Sequence, residues 1–422
     1  MTRWRWPGII VLGVYAAVSL TVGAAHALAP GQSQDLAPIY MAARLWLHGE
    51  DPYRGHSADE WRHATGAVEV PTANVERAYS TPYPPMAVVG LAGISGAEWE
   101  TAKTAWLVIN LALAVYVPWL IRRLWCPHLG PAPTTALFVV WFGGMGLRVG
   151  LANGQHALFW LAAMLSVLWL MSTGRAGWAG IPLSLSLHKY PLTAVFLPYF
   201  AAGRAWRLLA VAGVATLAWI GLFILGLQVN AREVAASYMR EIAWWYGQSG
   251  SGGLPGRGIT DVYPVLAALA SDRVATFVLY VMVGAGAVAA WWPLRTGHRS
   301  PRAVDVACLV LLMLWGTYHR VYDTIVLIVP LLVLAAHCHG SRPGWARRAT
   351  AVLTLLLAAA WYVDPSSLYR RFEAVPLDQL PDSHVFTALS MGYRLIIVAA
   401  FAAVVVLRYE PIDAAVPAQV VA

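Results

Sequence analysis

The chain runs to 422 residues and carries a formal net charge of +8, with 59% hydrophobic and only 12% charged residues. A soluble globular domain carries roughly 25% charged residues, whereas the mean hydropathy here is +0.58. Composition therefore excludes a soluble domain, and the positive charge reads as membrane topology rather than as a nucleic-acid surface. Cys126, Cys308 and Cys338 are scattered, without disulfide or metal-ligand spacing.

In chain order, the first apolar stretch, 7–28, follows Arg3 and Arg5. It is long for the apolar part of a signal peptide and further spans follow it, so it is expected to remain as the first membrane helix. Further spans are expected at 103–121, 132–149, 155–172, 206–228, 274–293, 303–318, 321–340, 348–363 and 386–408, because runs near ~20 apolar residues cross a bilayer core as helices. Two apolar segments fall short: 83–95 is brief, and 177–201 is broken at Lys189-Tyr190-Pro191. The expected fold class is an all-α polytopic membrane protein. It forms one domain over 1–422 with about 10–12 transmembrane helices, some re-entrant or broken.

Arginine sets the orientation. With the N-terminus inside, the alternation puts Arg122, Arg123, Arg175, Arg204, Arg207, Arg295, Arg299, Arg302, Arg342, Arg347, Arg348 and Arg408 on the cytoplasmic side. The longer segments 29–82, 229–261 and 364–385 then face outward. This positive-inside pattern places both termini in the cytoplasm. It holds only if 83–95 and 177–201 each make no net crossing. Irregular backbone at membrane depth must be buried in protein or line a cavity, so both interruptions point toward a site.

Polar residues collect at the outer ends of the spans: Asp35, Arg148 with Asn153-Gly154-Gln155, His188-Lys189, and His319-Arg320 with Asp323. Ionisable groups beside apolar spans are costly unless paired or working. Asp35 either caps the helix expected over 36–47, an amphipathic interfacial helix, or does chemistry. Lys189 either snorkels or binds an anion, and Asp323 is a partner for Arg320. Asn153-Gly154-Gln155 reads equally as a plain turn. Residues 246–253, preceded by Trp244 and Trp245, form a Gly-rich run that reads as a mobile lid, an acceptor-binding segment or a simple connector. The histidines His48, His56, His63, His337 and His339 form no convincing ligand set, so no metal is expected.

The order of short motifs narrows the class. Asp35 follows the first span, then come Tyr40, Gly49-Glu50-Asp51-Pro52-Tyr53, Tyr83-Pro84-Pro85, Gly154-Gln155 and Lys189-Tyr190-Pro191, with Arg204 and Arg207 beyond. Over residues 8–340 this order resembles glycosyltransferase family 87, of the GT-C class of polyprenyl-phosphate-sugar-dependent mannosyl- and arabinofuranosyltransferases. The resemblance implies inverting transfer of a hexose or pentose from a lipid-phosphate donor to a hydroxyl of a glycan or glycolipid acceptor outside the membrane, in cell-envelope biosynthesis. It implies no cofactor beyond that substrate and no nucleic-acid partner. Asp35 matches the essential first-loop Asp, but Gln34 stands where several GT-C classes carry a second acid, which favours a single-carboxylate, metal-independent mechanism. On that reading Asp35 is the general base. Lys189, Arg148, His319 and Arg320 hold the donor phosphate, and Gln155, Tyr83 and Trp245 contact substrate. The rival class is a membrane transporter or lipid-linked sugar flippase. The chain lacks the internal repeat that class usually shows.

Overall fold

The computed structural model describes residues 5–30, 32–33, 35–54, 57–65, 81–250, 274, 277–278, 281, 284–288, 302–316, 321–340, 344–363 and 384–407. Among the described residues every regular element is helical. The order begins α1 (Arg5–Leu28), α2 (Ala37–Leu47), α3 (Ala58–Thr65), α4 (Pro85–Ser95), α5 (Trp99–Trp125), α6 (Pro131–Gly143), α7 (Met145–Ala152) and α8 (Ala157–Ser172). It continues with α9 (Ala176–Ser186), α10 (Tyr190–Thr193), α11 (Phe196–Ala202), α12 (Trp206–Gly226) and α13 (Ala231–Gly250). The last are α14 (Ala303–Gly316), a 3-10 segment (Val321–Leu327), α15 (Ile328–Gly340), α16 (Trp345–Tyr362) and α17 (His384–Leu407). The chain is an all-α polytopic membrane protein. Among the described residues, 7–28, α5 and α12 are each long and apolar enough to cross a bilayer, and the bent pair α6–α7 makes a fourth. Among the described residues the helices at the remaining expected spans run from 13 to 24 residues, α17 being the longest, and the expected span 274–293 lies largely outside the described residues.

Packing follows residue size. Along α1 the buried positions are Ala16, Ser19, Gly23 and Ala27, a small-residue stripe at helical spacing, while Ile10, Val11, Val14, Val18 and Val22 are exposed, as lipid-facing residues are. The stripe lets α7 approach so closely that a Cβ on Gly23 would lie 3.0 Å from the Arg148 carbonyl. α9 packs on α12 in the same way, with Gly180 against Val211 and Ala212.

Two of the helix irregularities are repaired by tryptophan. Pro118 sits inside α5 and has no N–H, so the Ala114 carbonyl four residues back loses its helical donor. The Trp141 indole N–H donates to that carbonyl at 2.7 Å. The expected single span 132–149 is instead bent by 49° between α6 and α7. There Gly144 is extended and its N–H turns to Trp141 O. The Trp361 indole then donates to Val140 O at 3.0 Å. Trp361 fills the space beside Gly144, where a Cβ would meet its ring at 2.4 Å. The bend is thus set by a partner more than two hundred residues away.

Contacts give the helices a common polarity. Lys103, near the start of α5, donates to Leu28 O and Ala29 O at the end of α1, each at 3.3 Å. Tyr116 meets Ser166 and Trp119 meets Trp169, so α5 and α8 run parallel. Gly177 lies beside Arg207 while Thr193 bonds back to Ser186 O at 2.8 Å. The segment 176–205 is therefore a hairpin whose two ends share one end of the bundle, broken at Lys189-Tyr190-Pro191 as expected. The flanks of α4 also stay together: Tyr83 lies on His156, and Ala97 O accepts from Tyr40 Oη at 2.9 Å.

α2 differs from the expected interfacial helix. Ile39, Tyr40, Ala42 and Ala43 are all buried in a second core with Val88, Trp99, Trp106 and Phe223. Its small residues admit α4 on one side, and Trp46 anchors it to α12 by donating to Phe223 O at 2.8 Å. The segment 229–261 also differs. Ala231–Gly250 is helical, because a run of good helix formers, once nucleated, extends at little cost through Tyr246 and Gly247. Residues 251–261 and 364–383 lie outside the described residues.

Candidate active site

One end of the bundle is basic: Arg122, Arg123, Arg175, Arg204, Arg207, Arg302, Arg347 and Arg348 sit at helix ends there. Arg302 is held on Asp305 at 3.0 Å. The opposite end gathers the other polar residues and is where the candidate site lies.

The site is built on a helix terminus. α7 ends with Gly154 at φ +67, where Gly154 N–H donates to Leu151 O and Gln155 N–H to Gly150 O at 2.8 Å. This is a Schellman cap, and the left-handed residue favours glycine. Glycine is also needed for contact, since a Cβ there would meet Leu36 Cβ at 2.8 Å. The segment that carries Asp35 docks on this cap. Asp35 N–H donates to Asn153 O at 3.1 Å, Ser33 Oγ donates to Ala27 O at 2.9 Å, and the Trp106 indole donates to Gly154 O at 2.9 Å. Asp35 stands one position before Leu36, the N-cap residue of α2, and Leu36 makes no side-chain cap.

From the cap the cluster continues inward. Gln155 is buried, and its Oε1 accepts the His156 N–H at 3.3 Å. The His156 ring lies 4.5 Å from Trp106, 5.1 Å from Tyr83 and 5.6 Å from His188, centroid to centroid. His188 precedes Lys189 at the hairpin break, and Lys189 Nζ reaches Asp323 Oδ1 at 2.7 Å. Both side chains of this pair are largely buried, 12% and 7% exposed. Tyr83 is fixed through its carbonyl, which accepts from Tyr53 Oη at 3.1 Å. Burial, then the neighbouring Tyr238 and Asp51, raise the Tyr53 phenol well above its ordinary value, so it stays protonated as a donor.

Asp35, Gln155, Tyr83 and Lys189 thus meet through one continuous chain of contacts. Arg148 lies on the same α7, half-buried, with Nη2 on Met145 Sδ at 3.0 Å. Trp245 falls within α13, its side chain outside the described residues, as are His319 and Arg320 entirely. Asp323, read from the sequence as a partner for Arg320, is held by Lys189. His188 was named with Lys189 at the hairpin break but given no role, and His156 was not singled out. The signal for them was position: each interrupts an apolar stretch directly beside a motif residue. Among the described residues no group of three or more His, Cys, Asp or Glu side chains is arranged to hold a metal ion.

A sequence model of glycosyltransferase family 87 matches residues 81–316, more than half of the chain. The chain belongs to glycosyltransferase family 87. It is therefore a membrane glycosyltransferase, and the transporter reading falls away. The match is narrower than the span 8–340 over which the motifs resemble the family. It includes Tyr83, Gln155, His156, His188 and Lys189, and leaves out Asp35 and Asp323. No curated protein matches the chain.

Proposed function

We propose that this family 87 enzyme transfers a hexose or pentose from a polyprenyl-phosphate donor to a hydroxyl of a glycan or glycolipid, on the outer face of a bacterial inner membrane, with inversion. The observation that carries the reading is the junction of the Asp35 segment with the cap before His156, next to the Lys189–Asp323 pair. Asp35 takes the proton of the acceptor hydroxyl as its oxygen bonds the anomeric carbon. The bond from that carbon to the phosphate oxygen breaks, and polyprenyl phosphate leaves with the electron pair and a further negative charge. A fixed cation near that oxygen lowers the barrier. Lys189 serves there: Asp323 holds its Nζ in place, and an ammonium has three N–H donors to share. Arg148, His319 and Arg320 are further phosphate ligands in this scheme, and Gln155, Tyr83 and Trp245 contact substrate. The arginine-rich opposite end supports an orientation with both termini in the cytoplasm.

Detergent-purified protein supplied with polyprenyl-phosphate mannose, arabinofuranose, glucose or galactose tests this. Transfer from one of them with inversion at the anomeric carbon is expected. Retention, or transfer only from a nucleotide sugar, refutes the reading.

A further inference from the structure

His156 and His188 are buried, 3% and 4% exposed, and among the described residues no protein group hydrogen-bonds the Nε2 of either. A buried polar atom left unpaired is unfavourable, and two of them in neighbouring rings call for a reason. The rest of each ring is well placed. His188 Nδ1 bonds Leu185 O at 2.8 Å, and the His156 backbone lies close to the same ring. In a neutral ring, an N–H at Nδ1 donating to Leu185 O leaves the lone pair on Nε2. Around the pair stand aromatic rings: Tyr83 and Trp106 tilted on His156, and Phe159 in a T-shaped contact with His188 at 5.0 Å.

From this arrangement we propose that His156 and His188 form a carbohydrate-binding pair, whose Nε2 atoms bond ring hydroxyls while the aromatic faces cover the C–H face of the sugar. Sugar hydroxyls both donate and accept, so they suit imidazole nitrogens of either tautomer. An anion suits the pair poorly, because a neutral His188 that donates at Nδ1 presents only a lone pair at Nε2. A lipid chain would leave both nitrogens unpaired. Placement agrees: His156 follows the cap that holds the Asp35 backbone and His188 precedes Lys189, so a sugar bound here lies between the assigned base and the assigned phosphate ligand. The inference rests on the glycosyl-transfer reading for its meaning but not for its measurement. Tyr83, half-buried over His156, must turn aside to admit the ring.

Two substitutions separate binding from support. His188→Asn keeps a polar atom near Nδ1 and removes Nε2; His188→Gln keeps one near Nε2 and removes Nδ1. Affinity is measured in detergent for a polyprenyl-phosphate sugar, for polyprenyl phosphate lacking the sugar, and for an alkyl glycoside. The sugar-dependent gain in affinity is expected to fall about tenfold in His188→Asn, equivalent to about 1.4 kcal/mol, and to survive in His188→Gln. Loss against the polyprenyl-phosphate sugar assigns the pair to the donor, and loss against the alkyl glycoside assigns it to the acceptor. If His188→Asn binds every sugar as the parent does while His188→Gln unfolds, the histidine is structural and the proposal is overturned. Sugar binding without transfer in the parent protein sinks the glycosyl-transfer scheme and leaves the pair standing. The absence of any sugar-dependent gain sinks the pair.

Discussion

Lys189 and Asp323 offer the most quantitative test, because 134 residues separate them in sequence and 2.7 Å separates their charged atoms. With side chains only 12% and 7% exposed, neither charge is well solvated. Removing one partner leaves the other buried without its counter-ion, at a cost of about 3–5 kcal/mol, while replacing both with apolar groups of similar volume is often neutral. Asp323→Leu and Lys189→Met should each lower stability by about that amount, and the double variant should recover most of it. Unfolding of the four proteins in one detergent, followed through tryptophan emission with denaturant, gives the coupling directly. Losses that simply add, or single losses under about 0.5 kcal/mol, would show that the pair is not a buried unit. The assay also divides stability from function. If the double variant folds well, it should still bind the donor phosphate poorly, because the cation is gone.

Other outcomes follow from the irregular helices and the cap. Trp141→Phe leaves the Ala114 carbonyl without the donor that Pro118 cannot supply, and should cost about 1–3 kcal/mol. In a Pro118→Ala background the backbone N–H returns, so the same substitution should cost clearly less; equal losses would refute the repair. Gly154→Ala forces a left-handed residue and a contact at 2.8 Å with Leu36, and should cost about 1–2 kcal/mol from backbone strain alone. Because the Asp35 segment rests on this cap, turnover should fall more than stability does. Native turnover in a destabilised Gly154→Ala protein would detach the cap from catalysis.

The membrane class and the hairpin break were legible in the sequence because both are local. Composition reports lipid, and Lys189-Tyr190-Pro191 is a charge and a proline inside an apolar run. The convergence of Asp35, Gln155 and Lys189 was legible too, since alternation of spans fixes which helix ends meet. What sequence could not supply were tertiary partners. The bend at Gly144 depends on Trp361, and the partner of Lys189 comes from the 3-10 segment Val321–Leu327. His156 and His188 resemble ordinary core histidines until the two orphaned nitrogens are seen on neighbouring rings. The helix through Tyr246 and Gly247 was hidden by its glycines, whose local preference was outweighed by the helix formers upstream.

Asp35 carries the central claim. Asp35→Asn keeps the side-chain shape and the backbone bond to Asn153 but removes the proton acceptor. With a polyprenyl-phosphate sugar that the parent protein turns over, the variant should fold and bind donor normally yet transfer at least about a hundredfold more slowly. Near-native turnover by a well-folded Asp35→Asn protein would contradict the account.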